Sequence, residues 1–321
     1  MAYIGKHNYK EQAAVRQMNP WIEPAVLPVP QEQPRAQWVS GFVRAARQTA
    51  SPATAREFFR ELDASDPLLS RLGWALLAVV PVFAAMAFLA SGSLTGVNPW
   101  IKPIKFSISF STFAFTISLF LTALRIPGWQ LKLARRVIAG SVALEIASLG
   151  AQAWRTAHAV AGQTWIDGSL AQMTNSMVMV NTVIVIGILA LYCANRVKVQ
   201  MVDVPMMAAI RYSIGIFLAG NAIGGYMLAR GSHTVGTVDG GPGLPFVNWS
   251  TIAGDLRIAH FIAIHAIQIV PLFAYVLAQM APIPTVKQRR IAVAAVAVAV
   301  ALAVGATFVQ AAVGMPFLPI H

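Results

Sequence analysis

Seven apolar stretches, each close to the length that crosses a lipid bilayer, constrain the fold of this chain more than any other feature. About 20 apolar residues in an α-helix span the hydrocarbon core, and within lipid only helices and closed barrels satisfy every backbone group. The sequence therefore predicts an all-α fold, a polytopic membrane helix bundle with about seven transmembrane helices. The predicted spans are 73–90, 105–124, 134–154, 173–193, 208–229, 258–279 and 291–313.

The distribution of Lys and Arg predicts how this bundle is oriented. Ten basic residues follow the second, fourth and sixth spans, and five lie on the opposite side. Because basic residues are retained in the cytoplasm, the amino terminus is predicted inside and the carboxyl terminus outside. The net charge of +12 is then explained by orientation signals and contacts to anionic lipid, without a nucleic-acid partner.

Residues 1–68 are predicted to form a separate cytoplasmic region before a transmembrane domain at 69–321. This region holds seven of the 12 acidic residues and a cluster of prolines, a composition that favours partial disorder. Short amphipathic helices are predicted at 37–48 and 54–62, and the second places Phe58, Phe59 and Leu62 where they would lie on the membrane surface. No apolar run near the start indicates a cleavable signal peptide.

The third span carries a carboxyl group near its centre. Glu145 shares one helix face with Ser141, Ser148 and Gln152, which lie at spacings of three and four residues. An ionised carboxylate within a bilayer needs a partner, so acids in this position are protonated, paired or bound to a ligand. Glu145 and Gln152 are therefore candidate ligand-binding residues, although a hydrogen bond to a neighbouring helix would also explain them.

A second group of polar residues lies at the predicted outer ends of the second and sixth spans. Lys105 begins a narrow polar stripe on the second span, and Arg257, His265 and Gln268 lie on the sixth. A loop at 233–249, rich in Gly and Pro, precedes the sixth span and is predicted to cover this end. These four side chains are the remaining candidates near the loop.

The fifth span contains Gly220 and Gly224, a spacing that allows close approach of another helix. Between them lies Asn221, which we include among the ligand-binding candidates because it would face the interior of the outer half. Asn175 and Asn181 on the fourth span lie on different faces, a pattern typical of ordinary hydrogen bonds between helices.

A metal site is a further hypothesis, with His260, His265 and Glu145 as ligands of a divalent ion such as zinc. The two histidines are five residues apart, whereas two ligands from one helix normally lie four apart. Haem is disfavoured because no other span carries a His to face His265. The last span contains no Lys, which excludes a retinal Schiff base there, and the one Cys, Cys193, excludes an internal disulfide.

Three motifs resemble a family of uncharacterised bacterial multi-pass inner-membrane proteins. They are N-P-W-I-K-P-x-K-F at 98–106, H-T-V-G-x-x-D-G-G-P-G-L-P-x-x-N-W-S at 233–250 and G-D-L-R-x-A-H-F-x-x-x-H-x-x-Q at 254–268. The resemblance covers about residues 70–315. It implies a multi-pass protein of the bacterial inner (plasma) membrane, and it brings no activity, cofactor or catalytic residue.

Three functions remain open at this point. The first is an integral membrane protein whose outward-facing polar cavity binds or transports a small molecule or ion, with Glu145 beside His265 and Gln268. The second is an intramembrane hydrolase in which a metal activates water. The third is a structural subunit or assembly factor of a larger membrane complex, in which the polar residues only join helices. The sequence contains no P-loop, dinucleotide fingerprint or nucleophile elbow.

Overall fold

The computed structural model describes residues 52–89, 98–158, 164–198, 201–280 and 284–319. Over these residues the chain forms eight α-helices and one pair of very short strands. The elements are α1 Pro52–Ser65, α2 Pro67–Leu89, α3 Ile101–Ala123, α4 Gly128–Ala157, α5 Trp165–Cys193, α6 Val204–Arg230, β1 Thr234–Val235, β2 Gly254–Asp255, α7 Leu256–Gln279 and α8 Val286–Ala312.

Seven of these described helices, α2 to α8, are long and apolar enough to cross a membrane, which confirms the predicted seven-helix bundle. Most of them exceed the predicted spans; α4, for example, contains 30 residues. At 1.5 Å per residue such a helix extends beyond a hydrocarbon core of about 30 Å. The predicted helix at 54–62 is present as α1, whereas the one at 37–48 lies outside the described residues.

Helix α1 packs against the neighbouring ends of α2 and α3, and its placement on the membrane surface stays a prediction. The ring of Phe59 lies edge-on to those of Trp74 on α2 and Phe115 on α3, with centroids 4.8 and 5.2 Å away. Leu62 is 2% exposed. Leu62 is thus covered by protein, whereas Phe58 and Phe59 are half-buried beside the aromatic rings of α2 and α3.

One end of the bundle, here named the basic end, carries the ten Lys and Arg residues that predicted the orientation. Asp66, between α1 and α2, is fully buried and accepts a 2.6 Å bond from Arg135 of α4. Arg289 of α8 makes a second ion pair with Asp203 before α6, at 2.7 Å. The first pair joins the junction of α1 and α2 to the start of α4, and the second joins the start of α8 to that of α6.

Close helix packing in the membrane region centres on α6 and α7. A Cβ placed on Gly220 would lie 2.7 Å from the Cβ of Ala263, and one on Gly224 would lie 3.0 Å from the ring of His260. Real Cβ atoms do not approach as closely as at Gly220, so only glycine permits this contact there, whereas at Gly224 the ring of His260 would have to shift. The prediction that Gly220 and Gly224 admit a neighbouring helix is confirmed.

The opposite end of the bundle is covered by residues 231–255, named here the cap. Strands β1 and β2 pair antiparallel and bring the two ends of the cap together. Gly231 ends α6 with a φ of 66°, a conformation that glycine adopts at little cost. At Gly254 an added Cβ would lie 2.0 Å from the carbonyl oxygen of Ala311, so the cap also rests on the end of α8.

Candidate functional site

Asp239 organises the outer turn of the cap. Its carboxylate accepts hydrogen bonds from the hydroxyl of Ser232 and the backbone N–H of Thr234, both at 2.9 Å, and from the N–H of His233 at 3.3 Å. Burial by itself raises the pKa of Asp239, but the bonds from Thr234 and Ser232 outweigh it and lower the pKa to about 2. The carboxylate therefore stays ionised until the pH falls towards 2.

Asp255 joins the cap to α7. It is 1% exposed, and its carboxylate accepts bonds from the N–H of Ser250 at 2.9 Å and from Nη2 of Arg257 at 2.6 Å. Its side chain also caps the first turn of α7 by accepting from the N–H of Arg257. The same guanidinium donates to the carbonyl of Asn248, so Arg257 holds the cap from the membrane side.

The ring of His233 lies between the two acids. Its Nδ1 is 3.3 Å from Asp239 and 4.0 Å from Asp255. Burial and the positive charge of Arg257 nevertheless lower the pKa of His233, more than the acids raise it. Because the ordinary value is already near 6.5, His233 is neutral at pH 7.

Lys105 and His265 link α3 to the cap and to α7. The ammonium of Lys105 donates to the carbonyl oxygen of Val247 at 3.1 Å. One turn deeper, the hydroxyl of Ser109 lies 3.3 Å from Nε2 of His265, whose Nδ1 lies 3.3 Å from Oε1 of Gln268. The structure thus gathers Lys105, Arg257, His265 and Gln268 at one end of the bundle, beneath the cap.

A pocket with room for about one water molecule lies in the cap above this layer. Among the described residues, its walls carry one permanently charged side chain, the guanidinium of Arg257, and no carboxylate. Arg257 binds its partners through Nε and Nη2, and in the part of the chain that the structure describes its Nη1 has no hydrogen-bond partner. The residues that line the pocket are His233, Thr234, Val238, Gly240, Gly241, Asn248, Ser250 and Arg257.

Glu145 lies elsewhere, in the middle of α4. It is fully buried, and within the described part of the chain neither carboxylate oxygen has a hydrogen-bond partner. The charge that acts on it comes from Lys102 at the start of α3. His265 bonds to Ser109 and Gln268 instead, so among the described residues no hydrogen bond joins Glu145 to His265 or Gln268.

Polar neighbours of Glu145 on α4 bond to α5. Gln152 donates to the hydroxyls of Ser148 and Thr174, both at 3.2 Å, and Ser148 donates to the carbonyl of Leu170 at 2.8 Å. The shared face predicted for Glu145 and Gln152 is therefore real, but it faces α5. Glu145 alone on this face lacks a hydrogen-bond partner among the described residues.

Two further candidates are held in contacts between helices. The amide of Asn221 donates to the hydroxyl of Thr182 on α5 at 2.9 Å, away from His265. Nδ1 of His260 lies 2.8 Å from the carbonyl oxygen of Gly220; a carbonyl only accepts, so Nδ1 carries the proton. No group of three or more potential metal ligands occurs in the described residues, and His260, His265 and Glu145 do not form a metal centre.

Sequence reasoning missed three residues that shape these sites. Lys102, although visible in the N-P-W-I-K-P motif, gave no sign of acting on Glu145. Phe246 and Asn248 have positive φ values of 65° and 57°, which are uncommon for residues other than glycine. They aim the carbonyls around Val247 down towards Lys105 and Arg257, and backbone contacts of this kind leave no pattern in side-chain type.

The fold defines the class of this protein, which is an integral, multi-pass membrane protein of seven apolar helices. Comparisons with protein-family models, with curated proteins and with solved structures found no match to this chain. The two polar sites are therefore interpreted from their own geometry.

Proposed function

We propose that the protein binds a small anionic molecule at the cap end of the bundle. As a transporter it would carry this anion across the membrane. The observation that carries this proposal is the charge of the cap pocket, whose described lining contains Arg257 and no carboxylate. The resemblance of the sequence adds the bacterial inner membrane as the proposed location, with the cap facing outward.

The neighbouring charges support an anion rather than a cation. Asp239 and Asp255 are both outside the pocket lining, and each is already surrounded by donors from the cap itself. Lys105 lies beneath the cap, close enough for its charge to act together with that of Arg257. An incoming carboxylate or phosphate would find Nη1 of Arg257 and the hydroxyl of Ser250 as donors.

Access and transport follow from where the pocket lies. Lys105 and Arg257 each make one bond to a cap carbonyl, those of Val247 and Asn248, while Asp255 and Gly254 hold the base of the cap on α7 and α8. Below these contacts lies the polar layer of Ser109, His265 and Gln268. An anion that replaces the two carbonyls as the partner of Lys105 and Arg257 would loosen the cap and reach this layer.

Binding to purified protein tests the proposal. Wild-type protein in lipid nanodiscs is titrated calorimetrically with inorganic phosphate and with acetate, and we expect saturable binding of at least one. Arg257→Gln should weaken it about tenfold or more, since hydrogen bonds to charged groups contribute about 1.5–3 kcal/mol. Ser250→Ala should weaken it less while preserving the pair of Arg257 with Asp255.

The matched control is Arg230→Gln. Arg230 lies at the same end, but its exposed guanidinium contacts only the ring of Tyr226, 5.6 Å away, in the contacts described. The Arg230→Gln variant should therefore bind the anion as well as the wild-type protein does. Absence of binding by both anions, or equal loss in Arg230→Gln and Arg257→Gln, would contradict an anion site in the cap.

The two alternatives fare differently. The metal-dependent hydrolase has no assembled ligand group in the described residues to support it. The structural-subunit hypothesis is favoured by the bonds of Asn221 with Thr182 and of His260 with Gly220, which join helices only. It does not explain the unpartnered carboxyl of Glu145.

A further inference from the structure

Polar contacts recur along the seam between α4 and α5. Their members repeat every seven residues, so that each step along α4 is matched by an equal step back along the antiparallel α5. The distances between paired atoms are 2.7, 3.0 and 2.9 Å, from the cap end inward. The pairs are Arg155 with Asp167, Ser148 with Thr174, and Ser141 with Asn181.

Glu145 occupies the one position on this seam where α5 supplies no polar partner. It follows Ser141 by four residues, and the residue four before Asn181 is Met177. The register therefore sets the carboxyl opposite a thioether, which is at best a weak acceptor and donates nothing. Both carboxylate oxygens are left unpartnered and buried.

A buried carboxyl without a donor is stable only if something outside the two helices neutralises it. A metal ion would require further oxygen ligands, and none of the described acids or histidines joins Glu145 in such a group. A nearby ammonium, that of Lys102, also opposes a second cation at this position. A proton on the carboxyl needs neither extra ligands nor an additional positive charge.

Few charged or titratable groups surround the seam in the described residues, and on α5 they are Asp167 near the cap end and Tyr192 and Cys193 near the basic end. From α3, Glu145 is faced by Lys102, and at the cap end of the seam Arg155 is paired with Asp167. The neighbouring helices α2 and α6 carry their titratable residues near the ends of the bundle, as far as the structure describes them. These residues are Arg71, Arg211, Tyr212, Tyr226 and Arg230.

We propose that Glu145 is a proton-binding site, reached from the cap end along the polar seam of Gln152, Ser148 and Thr174. The carboxylate takes up one proton to become the neutral acid and releases it by the reverse step, so no other reactant is consumed. The site lies about 18 Å along α4 from the end at Ala157. A proton site at this depth and an anion site in the cap are what cotransport of an acid would require.

Infrared difference spectroscopy of the full-length protein in lipid vesicles tests this without any anion ligand. The external pH is stepped, and the C=O stretching band of protonated carboxyl groups is followed. Wild-type protein should show a band that appears and disappears with external pH, and Glu145→Gln should abolish it. Spectra of Glu145→Gln identical to wild type at every pH would overturn the proposal, because Glu145 would then not titrate.

A variant at the opposing position tests the register. Met177→Gln keeps the side-chain length and supplies the missing hydrogen-bond donor, so the Glu145 band should move to lower frequency. The control is Met179→Gln on the same helix, where the methionine is 63% exposed, and it should leave the band unchanged. Equal spectra for Met177→Gln and Met179→Gln would overturn the assignment of an unpartnered carboxyl. Because no anion is present, these results are independent of the cap pocket.

Discussion

At the scale of single residues, burial decides which charged contacts matter. Arg135 and Asp66 form an ion pair whose side chains are 15% and 0% exposed, and the same guanidinium donates to the backbone of Ser65 and the hydroxyl of Thr122. Arg71 and Asp63 also pair near the basic end, at 3.5 Å, but their side chains are 75% and 44% exposed. The two pairs have the same charges and differ in solvent contact.

This difference predicts unequal effects on stability. Arg135→Gln should lower the free energy of unfolding by about 3–5 kcal/mol, because it leaves the buried carboxylate of Asp66 unpaired. Arg71→Gln should change it by about 0–1 kcal/mol, since an exposed pair is screened by water. Reversible unfolding in detergent, followed by circular dichroism, measures both. Equal losses would contradict a structural role for the buried pair.

At the scale of helices, tight packing of α6 on α7 depends on small side chains. Gly220 allows the backbone of α6 to lie against Ala263. The carbonyl oxygen of Gly220 also accepts a hydrogen bond from Nδ1 of His260. A hydrogen bond and a close approach thus occur at the same turn. The contact needs both helices, because α6 supplies Gly220 and α7 supplies Ala263 and His260.

Gly220→Ala tests this packing. The added methyl group would overlap the Cβ of Ala263, so we expect a loss of about 1–3 kcal/mol in the free energy of unfolding. The control is Gly225→Ala on the same helix, where an added Cβ meets nothing within 4 Å. It should be neutral or stabilise by up to about 1 kcal/mol, because alanine favours helix more than glycine. Thermal unfolding measures the stability of both variants. A neutral effect of Gly220→Ala would contradict the close contact with Ala263.

At the scale of the whole molecule, the polar groups separate into two systems on different seams. The cap, Lys105, Arg257 and His265 join α3 to α7, and the seam that contains Glu145 joins α4 to α5. Both approach the same end of the bundle, opposite the basic end. Access to both sites therefore depends on which side of the membrane this end faces.

Labelling in intact cells measures the orientation. Single cysteines are introduced at Thr237 in the cap and at Gln130 at the basic end, both exposed, in a background without Cys193. We expect an impermeant thiol reagent to label the first and not the second, because the basic end is retained in the cytoplasm. Labelling at Gln130 alone would invert the topology and place the cap inside.

The sequence determined the class of fold because its signals are local. The number of helices, the cap segment and the small residues of α6 each follow from a stretch of apolar length, a cluster of Gly and Pro or a fixed spacing. The face shared by Glu145, Ser148 and Gln152 follows from helix periodicity in the same way. These features need no knowledge of neighbouring helices.

Only the tertiary structure decided which of these faces meet. It left Glu145 without a hydrogen bond to His265 among the described residues, directed Asn221 to Thr182, and set the register of α4 on α5 through Ser141 and Asn181. Helix periodicity gives the direction of a side chain around its own axis, but the partner depends on the rotation and register of a second helix. Those two quantities are set jointly by packing along the whole bundle, and no short pattern in the chain encodes them.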